Sequence, residues 1–301
     1  MTSAVKSIAK SLPYPVFLRL YYGWERFCLA PRAEFVRRSA GIPLLEEIDL
    51  RQFKTSDSLF ILGSGPSINH ISDGRWREIK RNDTVGFNWW LYHSLVPKFY
   101  FLESFEREAA PEHFECYLSL ARARAADYAG TIKIAMELHK TGTQTVLALD
   151  SGFKQNLFAA HSVAVPARDE NELDCAFRYL QRIGSFNRGG RFSHLLKHAA
   201  SLTSLLVFAV KLGYKRVVLC GIDLKTSSYF FQDRTLYSQS WELPGAAACE
   251  RHQTDVPLTW RVPVNRVVAS IKRLIYDPAD IQLLIESRQS ALWPMLKEAE
   301  F

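Results

Sequence analysis

The sequence predicts an α/β fold: a doubly wound parallel sheet, with helices on both faces and a flexible lid. Three observations predict it. Short, largely apolar runs recur along the chain, each followed by turn chemistry or a helix-like stretch. Such runs read as strands buried on both faces. Helix-patterned segments lie between them, and strands alternating with helices make a parallel sheet. The run LFIL at 59–62 stops at Gly63, Ser64, Gly65, Pro66 and Ser67, the chemistry of a strand turning into a helix.

The elements follow in order. Residues 1–55 read as a helical extension in which Lys6, Lys10, Arg19, Arg26, Arg32, Arg37 and Arg38 mix with Phe17, Tyr21, Tyr22, Trp24 and Phe27. That mixture suits contact with an anionic membrane surface, or a helix whose arginine stems lie over the domain. The main domain is expected over 56–301. Its first strand is 59–62. The run at 84–87 leads into Asn88 and an aromatic helix start, Trp89, Trp90, Leu91 and Tyr92. KFYFL at 98–102 ends at Glu103, and 131–135 and 145–149 are further short strands. Helical periodicity marks 201–212 and 264–276. Between and after them come the strands RVVLC at 216–220, closed by Gly221, Ile222 and Asp223, and IQLLI at 281–285. Residues 225–259 are rich in Ser, Tyr, Gln and Pro without period, which suggests a lid. Residues 105–191 are expected to hold helices and acceptor-facing loops.

With 301 residues, 48% of them hydrophobic, the chain has ample material for a core. The net charge of +7 favours anionic partners. The basic and aromatic residues form no nucleic-acid motif, so nucleic acid is not an expected partner. Five scattered cysteines with no CxxC pair indicate neither a zinc site nor a disulfide framework, and suit a reducing compartment. No apolar run of about 18 residues is present, and the first residues do not read as a signal peptide. The expected location is the cytoplasm, peripheral at the inner membrane.

In parallel sheets, ligands gather at the carboxyl ends of the strands. Gly63 and Gly65 allow close backbone approach, and Ser67 can cap a following helix whose free N–H groups favour an anion. Asn88 can donate to and accept from a sugar or base edge. Glu103 and Asp223 can bond a ribose, act as base or serve as nucleophile. Thr203 and Ser204, at a helix start, suit a carboxylate. Lys225 and Tyr229 can hold a phosphate leaving group. His252 has the intrinsic pKa to deprotonate a hydroxyl. No Asp-x-Asp motif is present, and no metal ligand set is expected.

Taken in order, these segments resemble the bacterial CMP-sialic acid sialyltransferases of the Campylobacter and Haemophilus type and the related Kdo transferases of lipopolysaccharide and capsule synthesis. The likeness rests on strand-GSGPS, a strand ending in Asn88, KFYFLE, and SLTSLLVFAVKLGYKRVVLCGIDL. A lid with SSY and a histidine after it complete the pattern. It implies a Rossmann-like, GT-A-like variant fold and a metal-independent glycosyltransferase needing no cofactor. Its donor is the CMP ester of an acidic 2-keto-3-deoxy sugar, and its acceptor a glycan or glycolipid. Residues 63–67 would approach the CMP, Asn88 the nucleotide or sugar, and Thr203 and Ser204 the sugar carboxylate. Tyr229 would hold the departing phosphate, and His252 would be the general base. Ser64 replaces the Asn of the sialyltransferase motif, and Lys225 a second phosphate-binding Tyr. A retaining Kdo mechanism would use Asp223 as nucleophile. The alternatives are a pterin pyrophosphokinase-like enzyme and a non-catalytic membrane-surface protein.

Overall fold

The computed structural model describes residues 12–102, 107–138, 142–187, 194–237, 252–256, 258 and 261–300. Among the described residues ten strands form: β1 (Ser58–Leu62), β2 (Asp83–Phe87), β3 (Phe99–Phe101), β4 (Ile132–Ala135), β5 (Leu157–Ala159), β6 (His161–Ala164), β7 (His194–Lys197), β8 (Arg216–Cys220), β9 (Gln282–Ile285) and β10 (Lys297–Glu298). The α-helices are α1 (Tyr14–Trp24), α2 (Ala30–Ser39), α3 (Asp73–Arg81), α4 (Pro111–Ala123), α5 (Gly142–Ala148), α6 (Ser151–Lys154), α7 (Glu170–Arg182), α8 (Ser201–Leu212) and α9 (Val264–Ile271).

Eight strands make one parallel sheet in the order β10-β9-β8-β1-β2-β3-β4-β5, and β6 pairs with β7 in a small second sheet. The chain leaves β1 toward β5 and then returns to the other side of β1 through β8. The winding therefore reverses between β1 and β8, where open α/β sheets form a crevice. Leu62 pairs with both Gly86 and Cys220, so β1, β2 and β8 end level at that crevice.

The sheet is covered on both faces, and the alternation within each strand shows how. Leu59 and Ile61 of β1 join one core with Val217 and Leu219 of β8, covered by α7, α8 and α9. Phe60 and Leu62 join the other core with Val218 and Cys220, under side chains of α3, α4 and α6. Side chains two apart share a face, so continuous apolar runs serve two cores at once. Helix α8 is buried all round: every residue after Ser201 is buried, Thr203, Ser204 and Lys211 included. It ends at Gly213, whose φ of +74° accepts the left-handed turn that closes many helices.

Asp83, fully buried at the start of β2, ties several elements together. It accepts from the Thr55 N–H (2.9 Å) and Oγ1 (2.7 Å), from the Tyr214 hydroxyl (2.8 Å) and from Lys98. Burial alone would push its carboxyl up, but the bonds from Lys98, Thr55 and Tyr214 prevail and hold it below the usual carboxylate range.

The strand expected at 145–149 falls instead mostly within α5. A short apolar run suits either element, and here Val146 and Leu149 are buried three apart, the spacing of a helix face. The expected helix start at 88–92 is a single 3₁₀ turn. Strands β5, β6, β7 and β10 were not anticipated. The extension forms α1, a π-helical turn and α2, and Leu18, Leu45 and Leu50 join the main core. Glu103 and the middle of the expected lid (238–251, with 257 and 259) lie outside the described residues. No helix among the described residues is long and apolar enough to cross a membrane.

Candidate functional site

A cavity of about 280 Å³ opens at the crevice between β1 and β8. Ser64 and Gly65 line it from the β1 turn, Asn88 from the end of β2, Asp223 and Leu224 from the end of β8, and Ala199 to Leu202 from the start of α8. Thr226, Ser228, Tyr229, His252, Thr254 and Lys197 complete the wall. Six elements far apart in sequence converge here because their strands end level.

Two independent features mark this cavity. Non-glycine residues with positive φ are strained and gather at functional sites. Three of the six among the described residues, Asn88 (54°), Ala199 (61°) and Leu224 (60°), line the cavity. A fourth, Glu137 (57°), pairs with Lys197 of its wall at 2.6 Å. Buried polar atoms nearly always find a partner. Ser64 Oγ, Asn88 Oδ1 and Thr226 Oγ1 are buried with none, and all three residues line this cavity. Together they supply two hydroxyls and an amide carbonyl with bonding capacity for a polar ligand.

The glycine turn also has a packing role. Gly63 N–H donates to the Cys220 carbonyl and Gly65 N–H to the Gly221 carbonyl, both at 2.8 Å, so the turn is laced to the loop after β8. A Cβ on Gly63 would lie 2.6 Å from the Gly221 oxygen, and one on Gly65 2.5 Å from Asp223 Oδ2. The close approach that glycine permits is to this second loop.

Asp223 explains Ser67. The Ser67 N–H (2.8 Å) and Oγ (2.5 Å) both donate to the Asp223 carboxylate. The anion favoured at the start of the 3₁₀ turn Pro66–His70 is thus supplied by the protein. Ser67 is buried, and neither it nor Pro66 reaches the cavity wall. The Asp223 carboxylate lines the cavity as a strut between two loops, with both oxygens engaged. Its backbone carbonyl accepts from Ala291 N–H at 2.7 Å.

Thr203 and Ser204 likewise turn away. Thr203 Oγ1 donates to the His198 carbonyl (2.7 Å) and Ser204 Oγ to the Leu196 carbonyl (2.9 Å), both buried. They fasten α8 to β7, and the part of this helix that meets the cavity is Ser201 and Leu202. His198 braces the same joint: Nδ1 donates to the Val165 carbonyl (2.7 Å) and Nε2 accepts from Val262 N–H (3.3 Å). Lys225 is exposed and does not line the cavity. The lysine that does is Lys197, at the end of a strand too short to read from the sequence.

Asn88 is set by its backbone. Its carbonyl accepts from the buried Tyr100 hydroxyl, which braces the left-handed turn. Tyr229 lines the cavity with its ring stacked on Phe231 (5.3 Å) and its N–H donating to Gln232 Oε1 (2.7 Å).

His252 meets the same cavity as Ser64 and Gly65. Its N–H donates to the Leu224 carbonyl (3.2 Å), and its carbonyl accepts from Asp255 N–H (2.8 Å). Asp255 Oδ1 accepts from Asn265 N–H (3.0 Å), which pins this loop to α9. Nδ1 lies 2.8 Å from Thr254 Oγ1 and 3.3 Å from Thr254 N. The hydroxyl serves Nδ1–H and the amide serves a bare Nδ1, so Thr254 supports either neutral tautomer. Burial lowers the imidazole pKa, with Asp255 opposing and Arg261 adding to the shift, so the ring is neutral at neutral pH.

Among the described residues no group of three His, Cys, Asp or Glu is placed to hold a metal ion. No protein-family model matches the chain, and no curated protein matches it.

Proposed function

We propose that this protein is a glycosyltransferase that moves an acidic 2-keto-3-deoxy sugar, sialic acid or Kdo, from its CMP ester to a hydroxyl of a glycan or glycolipid. One observation carries the reading: a neutral imidazole, His252, faces the same strand-end cavity as three buried polar groups that lack partners. The sequence likeness to CMP-sugar transferases supplies the chemistry, and the position at the switch point of a doubly wound sheet supports nucleotide binding.

In this reading Ser64, Asn88 and Thr226 bond the cytidylate and sugar. His252 takes the proton from the acceptor hydroxyl as its oxygen attacks the anomeric carbon. The bond from that carbon to the phosphate oxygen breaks, and CMP leaves with its charge opposite Tyr229 and Lys197. The first turn of α8, at Ser201 and Leu202, offers backbone N–H groups to the sugar carboxylate in place of the Thr203 and Ser204 hydroxyls. The two bonds from Ser67 hold the Asp223 carboxylate as a strut, which favours direct attack and inversion over a covalent adduct on Asp223.

The test is incubation with CMP-sialic acid and with CMP-Kdo, each with and without lipooligosaccharide, scored for CMP release. We expect acceptor-dependent release with one donor. His252→Ala should lower it at least about a hundredfold, the range of a lost general base, with CMP binding kept. No release from either donor, or full activity in the variant, overturns the assignment.

A further inference from the structure

The helical arm at the start of the chain has two faces. One packs on the domain: Leu18, Ala33 and Val36 are buried, and Tyr22 stacks on Tyr179 at 5.7 Å. The other presents large apolar side chains to solvent, with Leu20 59%, Phe27 76% and Phe35 72% exposed. Val16 is also exposed. Successive members of this row are four to eight residues apart, close to whole helical turns, so they form one stripe along α1 and α2. Two exposed phenylalanines on one helical arm are unusual in a surface meant only for water.

Exposed arginines flank the stripe. Arg19, Arg26 and Arg32 form no ion pair among the described residues, whereas Arg37 and Arg38 are held by Glu34. A cavity of about 590 Å³ opens beside the arm, lined by Arg19, Tyr22, Arg26 and Phe27 of the arm and by Tyr179 and Leu196 of the domain. The Tyr22 hydroxyl is buried there without a partner. Apolar side chains along a helix, bordered by unpaired cations, match a helix lying in the plane of a bilayer whose headgroups are anionic.

We propose that α1 and α2 seat this protein on an anionic phospholipid surface. Leu20, Phe27 and Phe35 enter the headgroup boundary, and Arg19, Arg26 and Arg32 meet lipid phosphates. The proposal does not depend on the transfer reaction: a protein inactive on both CMP-sugars would still bind vesicles if it holds.

The experiment is sedimentation of the full chain with vesicles of phosphatidylglycerol or of phosphatidylcholine, at low and high salt. The chain should pellet with phosphatidylglycerol, and high salt should weaken that binding. Each cation near an anionic surface is worth about a fivefold gain in binding, so Arg19→Ser/Arg26→Ser/Arg32→Ser should bind roughly a hundredfold more weakly. Phe27→Ser/Phe35→Ser should lose at least about tenfold through lost apolar burial. Near-ultraviolet circular dichroism checks that both variants are folded. If either is not, the wild-type comparison of the two lipids decides. Equal binding to both lipids, no binding, or folded variants that bind like the wild type would overturn the proposal. So would a solution dimer that Phe27→Ser/Phe35→Ser dissociates, because a second copy would then cover the stripe.

Discussion

At the scale of single residues, the site divides into groups that meet the cavity and groups that hold those in place. Ser64, Asn88, Thr226 and His252 are of the first kind; Ser67, Thr203, Ser204 and His198 are of the second. The sequence singles out serines and threonines beside glycines or helix starts but does not say which way a hydroxyl turns. That depends on which carbonyl or carboxylate the tertiary fold brings near. Asp223 shows why: its partner Ser67 is 156 residues earlier. His252 is legible by type, and its environment yields a pH prediction. A general base works while neutral. Because burial depresses its pKa, the acid limb of kcat/KM should lie below the ordinary histidine value near 6.5. A pH profile of sugar transfer from the CMP ester checks this, and an acid limb above pH 6.5 would contradict it. A second prediction concerns the hydroxyls that lack partners. Replacing a buried, unsatisfied hydroxyl with an isosteric methyl removes a desolvation cost. Thr226→Val should therefore leave the ligand-free Tm equal or higher while shrinking the rise that CMP produces, as read by thermal shift.

At the scale of elements, the long central pieces are legible and the short edges are not. Strands β1, β2, β8 and β9 and helix α8 match their expected spans within a residue, because short, largely apolar runs bounded by polar or turn residues, or twelve residues with helical spacing, leave few alternatives. Strands β5 and β7 are three and four residues long. Their pairing is set by neighbours, so nothing local announces them, and Lys197 at the end of β7 goes unread. The 145–149 run went to helix through its packing, which local propensity did not foretell. Asp83 is the element-scale device with the largest expected energetic consequence, since it joins the extension, β2, β3 and the turn after α8. Removing one partner of a buried, bonded charge costs about 3–5 kcal/mol. Asp83→Asn should lower the unfolding free energy at neutral pH by roughly that amount in chemical denaturation, and a loss below about 1 kcal/mol would show the node to be dispensable. The sign with pH follows from the depressed carboxyl: the contribution is present above its unfolded pKa near 3.8 and fades as pH falls through its lower folded value.

At the scale of the whole molecule, two surfaces do separate work. One end of the sheet gathers its loops around the cavity, and the helical arm carries the apolar stripe. A doubly wound sheet was readable from the alternation of strand and helix, whereas the place of its reversal, between β1 and β8, was not, because sequence order alone does not say on which side a returning strand docks. That reversal also governs when the protein becomes competent. The β1 turn leaves the ribosome early, but the wall it leans on is made only when the chain has grown through β8 and the His252 loop. A nascent chain that has not yet grown through β8 therefore carries the glycine hairpin without the loop it packs on, and the cavity closes only once the segment around His252 has been made.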